Sequence, residues 1–287
     1  MKLKSLCVVS VSCMFFFACS EDNSSSPQAL VPGISQGTEY GDLSSSIAAN
    51  LTSSSSIAVS SSSEMSSSSY AVPSCKTETE DNCEYGTLVD SRDGNIYKTV
   101  KIGTQEWMTE ELKYKGRFFN WAQALGLDEN VCNENQCDLP NGNIQGICPE
   151  GSHLPSANEF RALFIATGSQ QSYRTITFDG KTTRTEIYYD TANKLKASSG
   201  WKCCFAGDDR YGFSALPTGR KPTYGGIEND SYAIYWTSSQ IDSTLVSQAW
   251  IFGGSTIGVA TMEDESTIRS GLKKDRLLVR CIKDDAK

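Results

Sequence analysis

Apolar and polar positions divide the chain into three stretches. Residues 6–18 carry no charge and are mostly apolar. Residues 20–74 show no periodicity of either kind, only serine runs separated by short words such as Ile57-Ala58-Val59. From Glu84 onward the pattern becomes that of a folded domain. Residues 85–90 and 96–102 alternate apolar and polar positions, as half-buried strands do, and Asp93-Gly94 between them is a turn signal. With residues 105–108 they predict an opening β-meander. Residues 121–125 read as a short helix. The clearest helix follows Leu154-Pro155: Ser156 is a good N-cap, Glu159 completes a capping box, Phe160, Leu163 and Phe164 form an apolar face, and Gly168 ends it. A second short helix is predicted over 191–197. Short strands are predicted at 212–216, 233–238, 249–252 and 277–282, separated by long loops. The expectation is one α+β domain over residues 75–287 with few helices, short antiparallel strands and no internal repeat.

The first stretch has the layout of an export signal. Lys2 and Lys4 precede an apolar run of 13 residues, too short to cross a bilayer, which takes about 20 residues as a helix. It ends in Phe16-Phe17-Ala18-Cys19, which resembles a bacterial lipobox and implies lipidation of Cys19 after removal of residues 1–18. Acyl chains would tie the protein to a membrane. Ser20 after the cysteine, followed by Glu21-Asp22, points to the outer membrane, with the domain facing the cell exterior.

Composition sharpens the middle stretch. Its 55 residues include 21 serines and no lysine or arginine. So little apolar surface cannot offset the entropy of ordering the chain. Residues 19–74 therefore read as a lipidated, disordered tether with an r.m.s. reach of roughly 40 Å.

Charge and rare residues exclude functions more readily than they suggest them. With 26 basic against 34 acidic residues the net charge is −8, and no basic cluster marks a nucleic-acid surface. A single histidine, His153, leaves little room for histidine-dependent catalysis or a multi-histidine metal site. Its place before the capping turn suits a structural role, with a ring nitrogen bonding nearby backbone. Of the eleven cysteines, Cys7 and Cys13 leave with the signal and Cys19 takes the lipid. The other eight, in an exported chain, read as disulfide partners, and eight allow about a hundred connectivities.

Six ordered words then carry a resemblance. They are Val100-Lys101-Ile102-Gly103-Thr104-Gln105-Glu106-Trp107-Met108, Asn120-Trp121-Ala122-Gln123-Ala124, Gly146-Ile147-Cys148-Pro149-Glu150-Gly151-Ser152-His153-Leu154-Pro155, Lys194-Leu195-Lys196-Ala197-Ser198-Ser199-Gly200-Trp201, Tyr211-Gly212-Phe213-Ser214-Ala215-Leu216-Pro217 and Val279-Arg280-Cys281-Ile282-Lys283-Asp284. Together they resemble the Fibrobacter succinogenes major paralogous domain, over roughly residues 88–285. That family implies an exported lipoprotein and no established activity. The order Trp-x-x-Ala, then Cys-x-x-Gly-x-x-Leu-Pro-x-x-x-Glu-Phe, then a terminal cysteine is also similar to C-type-lectin-like domains and their formylglycine-generating branch. That similarity implies a lectin-like fold and a Cys148–Cys281 bridge. Cys132–Cys137 and Cys75–Cys83 suit local bridges. Cys203 and Cys204 suit either a vicinal ring or crossing to Cys132 and Cys137.

The lectin-like fold implies ligands on the loops at about 205–239. Candidates there are Asp208, Asp209, Tyr211, Tyr224, Glu228, Asn229, Asp230 and Tyr232, with Trp250 as a further aromatic platform. Oxygen-rich loops suit Ca²⁺. The Glu-Pro-Asn and Trp-Asn-Asp words of calcium-dependent lectins are absent, so no metal or cofactor is expected, with Ca²⁺ on these loops as the weaker alternative. Trp107, Trp121 and Trp236 are expected in the core. The reading is a non-catalytic, surface-exposed binding or adhesion domain for a glycan, plant polysaccharide included, or a surface protein. Alternatives are a structural envelope protein without a soluble ligand and, third, an enzyme of the formylglycine-generating type.

Overall fold

The computed structural model describes residues 71–178, 181–201, 205–219, 221, 231–252, 256–257, 260–261 and 265–285. Cys19, residues 20–70 of the serine-rich stretch, Cys203, Cys204, Tyr224, Glu228, Asn229 and Asp230 lie outside the described residues.

Two five-stranded antiparallel sheets form the frame of the described residues. The first contains β1 (Tyr85–Val89), β2 (Ile96–Ile102), β3 (Gln105–Met108), β4 (Ser152–His153) and the last strand, β12 (Ile282–Lys283), in the order β1-β2-β3-β12-β4. The expected meander is present: Tyr85 pairs with Val100, and Val100 pairs in turn with Trp107. Gly94 takes φ 78° at the first turn, a left-handed conformation that glycine adopts without strain. The end of the chain returns to this sheet. Ile282 stands between Trp107 on one side and His153 on the other.

The second sheet contains β5 (Gln171–Phe178), β6 (Lys181–Tyr189), β7 (Tyr232–Gln240), β8 (Leu245–Phe252) and β11 (Glu265–Leu272), in the order β5-β6-β11-β8-β7. A small pair, β9 (Thr256–Ile257) with β10 (Ala260–Thr261), stands apart. The sequence pattern anticipates β7 and β8. It does not anticipate the β5–β6 hairpin or β11. Conversely, 212–216 is no strand: Ala215 makes only an isolated bridge to Lys196. Of 277–282, only the end enters a regular strand, while Leu277 and Leu278 form single bridges to Phe119 and Tyr235.

The described residues also form four short helices: α1 (Trp121–Leu125), α2 (Glu129–Cys132), α3 (Ala157–Ala166) and α4 (Ala192–Leu195). The α3 capping box is present, with Glu159 Oε2 accepting the Ser156 N–H at 2.7 Å. An equivalent box, Asn120 with Gln123, starts α1.

Strand alternation creates two cores. Ala233 and Tyr235 of β7 point to one, with Phe160, Phe164 and Trp107, while Ile234 and Trp236 point to the other, with Trp121, Leu112 and Cys148. Trp107, Trp121 and Trp236 are fully buried. Among the described residues three disulfides brace these layers: Cys75–Cys83, Cys132–Cys137 and Cys148–Cys281. The last joins the approach to α3 with the terminal strand and has a Cα separation of 5.9 Å. No helix among the described residues is long and apolar enough to cross a membrane.

Candidate functional site

Of the described loop residues expected to meet a ligand, Asp209 and Tyr211 are used by the domain itself. Asp209 is buried, and its carboxylate accepts from the Ser214 N–H, the Ser214 hydroxyl (both 2.7 Å) and Lys76 Nζ (2.9 Å). These bonds hold the turn at 209–214 against the Cys75–Cys83 loop. Tyr211 is also buried and donates its hydroxyl to the Val72 carbonyl at 3.0 Å. Asp208 is half-exposed beside Arg210 and lines a cleft of about 270 Å³ with Ser74, Lys76 and Thr77. Among the described residues, no group of three or more His, Cys, Asp or Glu side chains could hold a metal ion.

His153 is buried on β4, but its partners are carboxylates rather than backbone. Nε2 lies 2.7 Å from Glu159 Oε1 and Nδ1 lies 2.6 Å from Asp284 Oδ1. Asn143 Nδ2 also lies 3.2 Å from Nδ1, and because ionised carboxylates only accept, Glu159 and Asp284 favour the ring protonated at both nitrogens. Burial pushes the imidazole pKa down, but the hydrogen bonds and charges of Glu159 and Asp284 outweigh it, and the net shift is upward. This clamp joins α3, β4 and the chain end.

A different cluster has the features of a binding site. It occupies one face of the second sheet. Residues paired directly across an antiparallel sheet share a face. Thr267 of β11 pairs with Trp250 of β8 and Ile187 of β6, Trp250 pairs with Ile234 of β7, and Arg269 pairs with Gln248. Glu265, Thr267 and Arg269 therefore share a face with Gln248 and Trp250, the face that carries Ile234 and Trp236 into the second core. The other face of the sheet carries Tyr188, Ile268, Ala249 and Tyr235 and packs in the same core as α3.

The polar face is built but incompletely bonded. Trp250 is wedged between Tyr232, edge-on at 5.6 Å between ring centroids, and the Arg269 guanidinium, 4.3 Å from the ring centroid. Its indole N–H donates to Gln248 Oε1 at 3.2 Å, which leaves the amide nitrogen as the unused end. Arg174 of β5 donates to Glu265 Oε1 at 3.0 Å. Gln248 Nε2, Glu265 Oε2 and Thr267 Oγ1 are buried and have no hydrogen-bond partner. Gln248 is fully shielded, Thr267 is 4% exposed and Glu265 7%. An unpaired buried polar group costs about 1–3 kcal/mol, and these three share one face of the sheet. Gly271 belongs to the same site, because a Cβ there would overlap the Gln248 side chain.

The face thus brings together Trp250, expected from the sequence, with Gln248, Glu265 and Thr267, which were not. The available signal was Gln248 in strand phase with Trp250: a polar residue where alternation calls for an apolar one.

The model of the Fibrobacter succinogenes major domain matches residues 111–283, more than half of the chain. The chain belongs to this family. The match contains α1 to α4, the whole second sheet and the polar face, and begins after β3. The β1–β3 meander therefore precedes the Fibrobacter succinogenes major domain as matched, yet it pairs through β3 with the domain's last strand, β12. No curated protein and no solved structure matches the chain.

Proposed function

We propose that this chain is a lipid-anchored cell-surface protein whose folded part is a non-catalytic module that binds a glycan. The observation that carries the reading is the orphaned set Gln248 Nε2, Glu265 Oε2 and Thr267 Oγ1 next to Trp250. Sugars are recognised by this combination, an aromatic side chain for the C–H face and side-chain amides, carboxylates and hydroxyls for the ring hydroxyls. The export signal, Cys19 and the serine-rich tether supply the cellular setting: outer membrane, domain outward, partner surface within reach of the tether. The lectin-like fold belongs to the same proposal. It is supported by the Cys148–Cys281 tie between the approach to α3 and the terminal strand, and by β12 lying between β3 and β4.

The test is retention of the mature chain on a glycan array and on immobilised plant polysaccharides. Retention on at least one is expected, and retention on none sinks the reading. Mass spectrometry of the mature N-terminus tests the anchor, and an unmodified Cys19 removes it.

A further inference from the structure

An open cleft lies on the α3 side of the second sheet, at the end where β6 and β11 part. Glu186 and Ile268 are the last pair between those strands. Beyond them β11 stays paired with β8 as far as Leu272 with Leu245, and β6 stays paired with β5 as far as Lys181 with Phe178. The sheet therefore divides past Ile268, and a cleft of about 300 Å³ opens there beside α3. We propose that this cleft binds the carboxylate of an acidic sugar, a uronate. The site is on the opposite face from Trp250 and uses none of the atoms that carry the glycan reading above.

Strand phase puts the lining side chains on one face. Arg184 and Glu186 are two apart on β6, Glu186 pairs with Ile268, Ser270 is two beyond Ile268, and Ser270 pairs with Ser247. Arg161 reaches the cleft from α3. Most of the charge is already paired. The Arg161 guanidinium donates twice to Glu186, at 2.7 and 2.6 Å, and once to Asn158. Glu186 also accepts from Tyr188 and Gln171, so its carboxylate is occupied. Arg269 borders the cleft, but its guanidinium lies over Trp250 on the other face. Arg184 differs from both. It lies 3.5 Å from the centroid of the Tyr173 ring and has no hydrogen-bond or ion-pair partner among the described residues. The Ser247 and Ser270 hydroxyls likewise have none.

Stacking on Tyr173 uses the flat face of the Arg184 guanidinium. Its in-plane N–H fork stays available, in the geometry that matches a carboxylate. With Arg161 and Glu186 cancelling, the described lining carries one uncompensated positive charge, which a single carboxylate balances. The chain as a whole carries −8, so this cation is no part of a general basic surface. Ser270 and Ser247 stand side by side, about 5 Å apart at Cβ. Their hydroxyls both donate and accept, which suits ring hydroxyls. Ile241 and Leu245 supply an apolar wall for a C–H face. Arg184 and Ser247 are two strands apart, roughly 10 Å before the long arginine side chain is counted, so one ligand can touch both.

The test titrates the full mature chain calorimetrically with trigalacturonate and with its methyl ester, which keeps the ring hydroxyls and removes the charge. Trigalacturonate is expected to bind at least about tenfold tighter, and its affinity should fall as salt is raised. Arg184→Gln should abolish that difference. Arg184→Lys should keep part of it, since it retains the charge and loses the fork. Arg184 is exposed, so both variants should fold, and near-UV circular dichroism verifies it. Equal binding of acid and ester overturns the carboxylate site. A difference that survives in folded Arg184→Gln places the anion elsewhere and overturns the assignment. Triglutamate binding as tightly as trigalacturonate, or equimolar sulfate displacing it, overturns the sugar class. Binding of neither trigalacturonate nor its ester overturns this proposal alone, because retention on neutral polysaccharides decides the glycan reading separately.

Discussion

Arg280 donates from Nη2 to Glu111 Oε1 at 2.7 Å, and both side chains are buried. The same carboxylate oxygen accepts the Tyr235 hydroxyl at 3.2 Å, and Arg280 also donates to the Phe213 carbonyl. Its guanidinium lies 4.3 Å from the centroid of the Phe213 ring. Burial, opposed by Arg280 and reinforced by Glu111, pushes the Tyr235 hydroxyl well above the usual tyrosine range, so it remains a donor. The pair connects the segment after β3, the turn at 213–214 and the run into β12. Breaking it leaves one buried charge alone. Glu111→Ala should cost about 3–5 kcal/mol of stability, read by chemical denaturation. Replacing both partners by apolar residues, as in Glu111→Leu with Arg280→Met, should recover much of that loss. A single Glu111→Ala chain as stable as wild type would show that the ion pair contributes nothing net.

The His153 clamp sets a pH dependence whose sign follows from its shifts. The imidazole pKa is raised, so its contribution is complete below its ordinary value of 6.5 and disappears as pH climbs through the higher folded value. Glu159 moves the other way. Burial raises its pKa, but the His153 hydrogen bond and the Ser156 backbone bond outweigh it, and the net shift is downward. Its contribution is complete above its ordinary value of 4.5 and disappears as pH falls through the lower folded value. Both contributions are therefore complete between 4.5 and 6.5. The melting temperature should plateau there and decline on the alkaline side. His153→Gln should flatten the alkaline decline, and a profile unchanged by that substitution would remove the clamp from the account.

Sequence pattern revealed what local chemistry dictates and missed what tertiary pairing dictates. The meander, α1, and α3 with its box at Ser156 and Glu159 are written in alternation, periodicity and caps. The β5–β6 hairpin and β11 are not, because Arg174, Thr175, Arg184, Thr185, Glu265, Ser266 and Thr267 make strands that are too polar to look half-buried. The dipeptide Asp179-Gly180, between Phe178 and Lys181, was the one signal for that hairpin. The loop carboxylates Asp208 and Asp209 pointed toward a ligand because the lectin-like resemblance places ligands on the loops at about 205–239. Only the fold shows Asp209 turned inward to Ser214 and Lys76. The polar face was hard to read for a related reason: Gln248 breaks the alternation of β8 in sequence, but Glu265 becomes unusual only once pairing has buried it.

The Cys148–Cys281 bridge spans 133 residues, and in the chain-entropy model a loop of that length contributes about 5 kcal/mol by restricting the unfolded chain. Native ties beside it persist without the bridge: the Met108 N–H donates to the Cys281 carbonyl at 3.0 Å and the Leu112 N–H to the Val279 carbonyl at 2.8 Å. The double substitution Cys148→Ala with Cys281→Ala should therefore fold but lose about 2–5 kcal/mol. Removing Cys132–Cys137, with a separation of 5 residues, should cost less. Denaturant melts of the two double mutants provide the comparison, and a larger loss for the short loop would contradict the entropic ordering.

Gly271 offers a way to disturb the polar face from behind its key amide. It faces the same side as Glu265, Thr267 and Arg269, and a Cβ there would overlap the terminal atoms of Gln248. What would have to move is the end of a flexible side chain rather than backbone, so Gly271→Ala should leave the sheet paired. Alanine also restricts the unfolded chain more than glycine, which offsets part of the packing cost by about 0.4–1 kcal/mol. The Gln248 amide, however, must swing away and give up the bond from the Trp250 N–H. The expected result is a melting temperature within a few degrees of wild type, altered near-UV dichroism from Trp250, and weakened retention on any glycan the wild-type chain holds. Gln248→Ala should reproduce the binding loss, and adding Gly271→Ala to it should bring no further loss, because the displaced group is already gone. Additive losses would mean that Gly271 acts through the strand rather than through Gln248.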